Sequence, residues 1–323
     1  NGLMRYAPLG NSGLMVSVVG VGCNAFGARI DADQTKAVVD AAIEAGVTLF
    51  DTADAYADGA SEELLGRALG SRREDVIVAT KFGMGEHTAE HFGAHGSRRY
   101  VRRAVEASLR RLGTDYIDLY QLHRPDPITP IEETLEAMSE LVAEGKVRYL
   151  GSSNLSAWQV VDADWIAHSS GLQRFISAQN EYSLYNRAAE DELVPACERL
   201  GVGILPYFPL AYGLLTGKYR RDEAAPEGTR LARTDQAKRL AGADWDRIEA
   251  LQAFADARGI TLLTLAIGGL LAQRAVGSVI SGATRPEQVR ANVEAATWQP
   301  SADDLAELAG LRRPPAFSYT TFA

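Results

Sequence analysis

The chain has 323 residues, 46% hydrophobic, 23% charged and 8% aromatic, enough to bury a sizeable core. Its formal net charge of −9, with Lys and Arg in no dense run, argues against a nucleic-acid partner. No run of roughly 18 uncharged apolar residues is present to span a membrane.

Two distant cysteines, Cys23 and Cys197, read as reduced thiols of a cytoplasmic protein. The opening NGLMRYAPLGNSG lacks the apolar core of a signal peptide, in keeping with that compartment.

In chain order, Met4–Leu14 comes first, turning at Gly10-Asn11-Ser12-Gly13, and reads as a short hairpin. Eight apolar runs rich in β-branched residues follow: Val16–Gly22, Val47–Phe50, Val76–Ala79, Ile117–Gln121, Val147–Gly151, Ile176–Gln179, Gly203–Pro206 and Ser278–Ile280. Their hydrophobicity is continuous, as in parallel strands buried on both faces. Between them lie amphipathic segments. Ala37, Val38, Ala41, Ala42 and Ala45 form one stripe closed by Gly46, and Val101 to Leu112 repeats the pattern up to Gly113. Thr129-Pro130-Ile131-Glu132 has the form of a capping box, with Thr129 as N-cap. Trp158 and Trp165 are expected to pack their helix against the sheet. After Pro206 comes a polar loop, roughly 207–242, then two helical segments, Trp245–Arg258 and Leu262–Gln273. Strict alternation predicts a single-domain (β/α)8 TIM barrel over 1–323, with an N-terminal hairpin and a long loop after strand seven.

Active sites of such barrels lie at the carboxyl ends of the strands. The polar or aromatic residues there are Asn24, Asp51, Tyr56, Lys81, His123, Ser153, Asn154, Gln179, Tyr207, Thr284 and Arg285. Singly, a strand-end Asp or Lys is commonly a cap or a surface ion pair, and a His commonly a structural residue. Here Asp, Tyr, Lys and His arrive together from three successive strands and their loops. Lys81 needs an anion that Asp51 can supply. A nearby ammonium favours phenolate, so Tyr56 is expected to titrate below its reference value of about 10. Such a tyrosine can protonate a carbonyl oxygen, with His123 as a second donor. No side chain gives a hydride, so that chemistry requires a redox cofactor.

The segments FDTADAY, GASEELLG, ATKFG, QLHRPDP, GSSN, AQNEYSL, YFPLAYGLLTGKY and SGATRPEQVRAN together resemble the aldo-keto reductase superfamily, over essentially the whole chain. The resemblance implies a (β/α)8 barrel with an N-terminal hairpin and a catalytic tetrad at Asp51, Tyr56, Lys81 and His123. It implies a nicotinamide dinucleotide whose carboxamide meets Ser153, Asn154 and Gln179, with Tyr207 stacked on the ring. Leu210, Gly213, Leu214 and Lys218 match the loop around the pyrophosphate, and Asn24 is taken with this cofactor set.

The last loop bears on NADP(H) against NAD(H). Arg285 can neutralise a 2′-phosphate, Thr284, Gln288 and Asn292 can contact it or the adenine, and Pro286 suggests a helix N-terminus there. Gly282 and Gln288 stand where many relatives carry Lys or Arg, so NADP(H) is favoured with NAD(H) open. Phe208 stands where relatives commonly have serine, and is expected to rearrange cofactor contacts or to line the pocket.

His87, His91 and His95 are spaced four apart, but glycines crowd the segment. No metal site is expected there. A substrate-contacting loop with Met84, His87 and Phe92 is expected instead, with Phe317, Tyr319 and Phe322 of the C-terminal tail as further candidates. The reading is reduction of an aldehyde or ketone, with a small carbonyl, sugar or alcohol as partner and no membrane or nucleic acid. Two alternatives stand beside it: a sugar or alcohol dehydrogenase working in the oxidative direction, and a slow-turnover cofactor sensor like the potassium-channel β subunits.

Overall fold

In the computed structural model, residues 4–84 and 94–312 are described. The hairpin strands are β1 (Tyr6–Pro8) and β2 (Met15–Ser17). The barrel strands are β3 (Val19–Gly22), β4 (Leu49–Asp51), β5 (Ile77–Phe82), β6 (Ile117–Leu122), β7 (Val147–Ser153), β8 (Phe175–Glu181), β9 (Gly203–Tyr207) and β10 (Val279–Gly282). The helices are α1 (Ala32–Glu44), α2 (Ala60–Leu69), α3 (Arg98–Leu112), α4 (Ile131–Ala143), α5 (Ala157–Ser170), α6 (Leu193–Leu200), α7 (Ala237–Ala241), α8 (Trp245–Asp256), α9 (Leu262–Leu271), α10 (Pro286–Ala295) and α11 (Ala302–Gly310).

Strands β3 to β9 follow one another in sequence and in space, all parallel, and β10 lies beside β3. The ring closes between β9 and the residues just before β10: Ile204 N–H donates to Ala275 O at 2.7 Å, and Gly277 N–H donates to Ile204 O at 2.9 Å. This is the (β/α)8 barrel with an N-terminal hairpin that the alternation predicts. Among the described residues no helix is long and apolar enough to cross a membrane.

The first apolar run, Val16–Gly22, is in fact two strands. Ser17 trades bonds with Thr48: its N–H donates to the Thr48 hydroxyl at 3.0 Å, and its own hydroxyl accepts from Thr48 N at 2.9 Å. There the chain leaves β2 and joins the barrel. The hairpin then plugs the lower end, with Leu9 and Val16 fully buried against Leu49, Ala79, Leu119, Leu205 and Ile280. Gly10 makes that entry possible, since a Cβ at its φ of +58° would stand 2.6 Å from Gly201 O.

Side chains of a strand alternate between faces, so position in this plug layer sets what lies above it. Two residues beyond Leu49 is Asp51, beyond Ala79 is Lys81, and beyond Leu119 is Gln121. The same parity that fills the bottom with Leu and Ala therefore aims a carboxylate, an ammonium and an amide into the upper end.

Two local expectations are corrected. Pro130, not Thr129, is the N-cap of α4, and no side chain caps it. Asp126 has taken over the turn, accepting from the amides of Gly96, Ile128 and Thr129. Trp158 and Trp165 do not pack on the barrel, for each is 68% exposed. Helix α5 buries Val160, Ala163 and Ala167 instead, small residues that let it sit close, which turns both tryptophans outward.

Candidate active site

Lys81 rises from β5 almost fully enclosed, and all three of its N–H donors are used. It donates to Asp51 Oδ2 at 2.6 Å, to Thr52 O at 2.9 Å and to the Tyr56 hydroxyl oxygen at 3.4 Å. Burial works against the ammonium, but Asp51 and Tyr56 more than offset it and hold Lys81 above its ordinary value. Asp51 Oδ1 accepts from Gln121 Nε2 at 3.0 Å and Gln179 Nε2 at 2.9 Å, so both carboxylate oxygens are satisfied.

Tyr56 reaches this pair from a tight turn in which Ala57, Asp58 and Gly59 all have positive φ. A side chain at Gly59 would collide with Arg111, its Cβ 2.6 Å from Cδ. The turn is pinned from behind: Glu62, fully buried, accepts from the Thr80 hydroxyl and from Arg111 Nε, both at 2.6 Å.

The expected lowering of the Tyr56 pKa is not found. Burial of the phenol dominates and raises it, and Asp51 cancels much of the field of Lys81. Tyr56 is therefore a neutral phenol at working pH. Because its oxygen accepts from Lys81, its own O–H is left to point elsewhere. A phenolate-specific absorbance, taken as wild type minus Tyr56→Phe in the ligand-free chain, is expected only above the ordinary phenol value of about 10. A phenolate signal at neutral pH would show that the ammonium prevails.

His123 sits with its ring edge-on to Tyr56, centroids 6.0 Å apart. Burial, with the charges of Lys81 and Arg124, pulls its pKa down to about 2, so the imidazole is neutral. Its Nδ1 is buried without a partner among the described residues. An orphaned N–H is more costly than an orphaned acceptor, which favours the proton on Nε2.

Next to this cluster, Ser153, Asn154, Gln179 and Tyr207 form one bonded group. Tyr207 donates its hydroxyl to Asn154 Oδ1 at 2.6 Å, and Asn154 Nδ2 donates to His123 O and Ser153 Oγ. Asn154 holds a φ of 61°, a conformation its side chain tolerates better than most. Ser153 Oγ donates to Gln179 O at 2.9 Å.

A single cavity of about 920 Å³ takes in Asp51, Tyr56, His123, Ser153, Asn154, Gln179 and Tyr207. The same cavity is lined by Asn24, Leu210, Gly213, Lys218, Gly282, Thr284, Arg285 and Gln288. Leu214 and Asn292 are buried and do not line it. Gly282 stands beside Asn24, where a Cβ would lie 3.2 Å from Oδ1. Helix α10 begins at Pro286 as expected, and Gln288 Oε1 is occupied in its first turn, accepting from Thr284 N, Thr284 Oγ1 and Arg285 N. Met84 lines the cavity, while His87, His91, Phe92, Phe317, Tyr319 and Phe322 fall outside the described residues.

The cavity's charge is its most informative property. In a chain of net charge −9, its lining includes Arg29, Arg124, Lys218, Arg230, Arg233 and Arg285, against the carboxylates of Asp51 and Glu227. Asp51 is already paired with Lys81. Among the described residues Lys218, Arg230 and Arg285 have no ion-pair partner. Such a lining fits a ligand with several phosphate charges, and the amide cluster beside Tyr207 fits a flat polar ring such as a carboxamide-bearing nicotinamide.

Sequence reading missed several groups here. Gln121 had a signal, an amide inside the buried run IDLYQL on the parity of His123. Glu62 stood in the GASEELLG motif, but its partners, Thr80 and Arg111, are distant in sequence. Asp54, whose carboxyl is pushed up to about 7 by burial and by Glu62, lies within the FDTADAY segment but beyond the strand end. Arg29, Arg230 and Arg233 have no motif at all.

A closed parallel barrel with its polar cluster at the carboxyl ends of the strands is the architecture of α/β-barrel proteins that work at that face. Residues 18–313 match the model of the aldo/keto reductase family. The chain belongs to that family. It is 37% identical over 302 residues to a probable voltage-gated potassium channel subunit beta of Arabidopsis thaliana, covering 90% of this chain and 91% of that protein. The same identity and coverage relate it to the protein of that name from Oryza sativa subsp. japonica. It is 35% identical over 312 residues to probable aldo-keto reductase 1 of Glycine max, covering 93% and 86%.

Proposed function

We propose that the chain reduces an aldehyde or ketone to an alcohol, with NADP(H) as hydride carrier and Tyr56 as the proton donor. The observation that carries this reading is the Lys81 ammonium held between Asp51 and the Tyr56 oxygen at the carboxyl end of the barrel, 2.6 and 3.4 Å away. The dinucleotide, when bound, supplies the hydride that no side chain can give. Ser153, Asn154, Gln179 and Tyr207 would hold its ring end, and Lys218, Thr284 and Arg285 its phosphate end.

The chain's own part is proton delivery. A neutral Tyr56 is already in its acid form, with its O–H directed away from Lys81. As the proton leaves, the phenolate gains a full charge beside the Lys81 ammonium, which therefore stabilises the product state more than the starting one. Nε2–H of His123 can orient and polarise the same carbonyl oxygen. Asp51 keeps Lys81 charged in surroundings that disfavour charge.

Arg285, exposed on the cavity and free of any carboxylate among the described residues, supports NADP(H) over NAD(H). A second reading, kept because the Arabidopsis and Oryza relatives are named as probable potassium channel β subunits, is a protein that holds the cofactor and turns over slowly. Turnover of a panel of aldehydes and ketones with NADPH and NADH in parallel separates the two. Reduction with NADPH preferred is the expected result, whereas tight binding without turnover on any carbonyl would favour the second.

A further inference from the structure

The loop after β9 holds a backbone that bulky residues seldom adopt. Phe208, Ala211 and Tyr212 have φ of 50°, 47° and 63°, followed by Gly213 at 105°. Left-handed conformations at a Phe and a Tyr persist only where the surroundings over-determine them. Here they do: Ala211 N–H donates to Phe208 O, Gly213 and Leu215 N–H both donate to Leu210 O, and Ala211, Leu214 and Leu215 are buried.

These turns stack the two rings. Phe208 stands edge-on to Tyr207 at 5.0 Å and lies 4.4 Å from Tyr212, tilted by 40°. Onto that base comes the segment 217–242, which is mostly exposed and anchored in its middle by Leu231 and the bond from its N–H to the Tyr219 hydroxyl at 3.3 Å. Arg239 lies 3.5 Å over the Tyr212 ring. Arg230 lies 5.4 Å from that ring and 5.6 Å from Phe208.

No carboxylate pairs with Arg230 or Arg239 among the described residues. Burial, then the charges of Arg29, Arg239 and Arg233, pull Arg230 below its ordinary value, only partly countered by Tyr212. Repulsion from Arg29 and crowding with Arg233 and Arg239 therefore work against the seat of Arg230, and the aromatic faces hold it, beside the anchors at Tyr219, Leu231 and the Arg221 pairs with Asp246 and Glu249.

We propose that Phe208 and Tyr212 are positioning residues: their rings seat Arg230 and Arg239 so that the segment 217–242 stays folded over the phosphate end of the cavity. The seat sets how slowly a dinucleotide leaves, in place of the single hydroxyl that a serine at 208 would offer. This builds on the cofactor reading above. A bound phosphate group would relieve the mutual repulsion of Arg29, Arg230 and Arg233, so ring and ligand hold the segment from opposite sides.

Two readouts test it on Phe208→Ser, Tyr212→Leu and Tyr212→Phe. The first is tryptic cleavage of the ligand-free chain within 217–242. The second is NADPH release by stopped-flow fluorescence with NADP⁺ as chase. Phe208→Ser and Tyr212→Leu are expected to be cut and to release NADPH up to about tenfold faster, the loss of one or two cation–π contacts. Tyr212→Phe keeps the ring and should match the wild type in both. Release and cleavage unchanged in Tyr212→Leu, or changed equally in Tyr212→Phe, would overturn the proposal. If the wild type bound neither NADPH nor NADH, the cofactor reading would fail, and the cleavage contrast between Tyr212→Leu and Tyr212→Phe would still decide whether the rings seat the segment.

Discussion

Tyr56→Phe is expected to lower carbonyl reduction by about 10²–10⁴-fold, the range for removing a positioned general acid. The substitution takes away one oxygen and leaves the ring, so the 5.0 Å contact between Lys81 Nζ and the ring centroid remains possible. It does not touch the Lys81–Asp51 bond or the bonded group of Ser153, Asn154, Gln179 and Tyr207. NADPH binding and the unfolding midpoint should therefore survive while turnover falls. Unchanged reduction in this variant would remove Tyr56 from the reaction, and with it the assignment of acid and base. Loss of NADPH affinity alongside turnover would instead place the hydroxyl in ligand binding.

The second large effect concerns Lys81. It is 1% exposed, and its partner Asp51 is 2% exposed. Lys81→Met fills similar volume but leaves a buried carboxylate without its cation. Breaking such a pair costs about 3–5 kcal/mol, which urea unfolding would read directly. Gln121 and Gln179 would still donate to Asp51 Oδ1, but Oδ2 would lose its short bond. The double variant Asp51→Asn with Lys81→Met removes the stranded charge and is expected to recover much of the stability but none of the turnover. That split distinguishes a pair kept for the reaction from one kept for the fold. A Lys81→Met variant as stable as the wild type would show that the carboxylate finds water or a proton once the ammonium is gone.

The barrel was readable because its strands are continuous apolar runs and its helices carry period and caps, signals that reside in neighbouring residues. The acid–base cluster was readable for the same reason: Asp51, Lys81 and His123 each stand at or just beyond the carboxyl end of a strand, and strand order places them side by side. What failed depended on depth or on distant neighbours. The direction of the Tyr56 shift turns on how far the phenol is buried and on Asp51 cancelling Lys81, neither of which spacing records. Trp158 and Trp165 were turned outward by the small residues Ala163 and Ala167 on the opposite stripe of α5. Asp126 displaced Thr129 from its cap through an amide 30 residues away, that of Gly96. The cationic lining gathers Arg29, Arg230 and Arg233 from segments that only the folded ring brings together.

The join that closes the ring has a consequence of its own. Strand β8 meets β9 along five paired positions, and β10 meets β3 along four, yet among the described residues the backbone pairing of β9 across its seam runs through Ile204 alone. A cylinder stitched once along one edge opens there before anywhere else. Tyr207 sits at the end of β9, and Thr284 and Arg285 lie just beyond β10, so the groups assigned to the two ends of the dinucleotide stand on opposite lips of that seam. A long ligand gripping both lips does the work of the missing rungs. By the cofactor reading, occupancy and barrel integrity would then be one equilibrium, with the ligand as the last stave of the barrel.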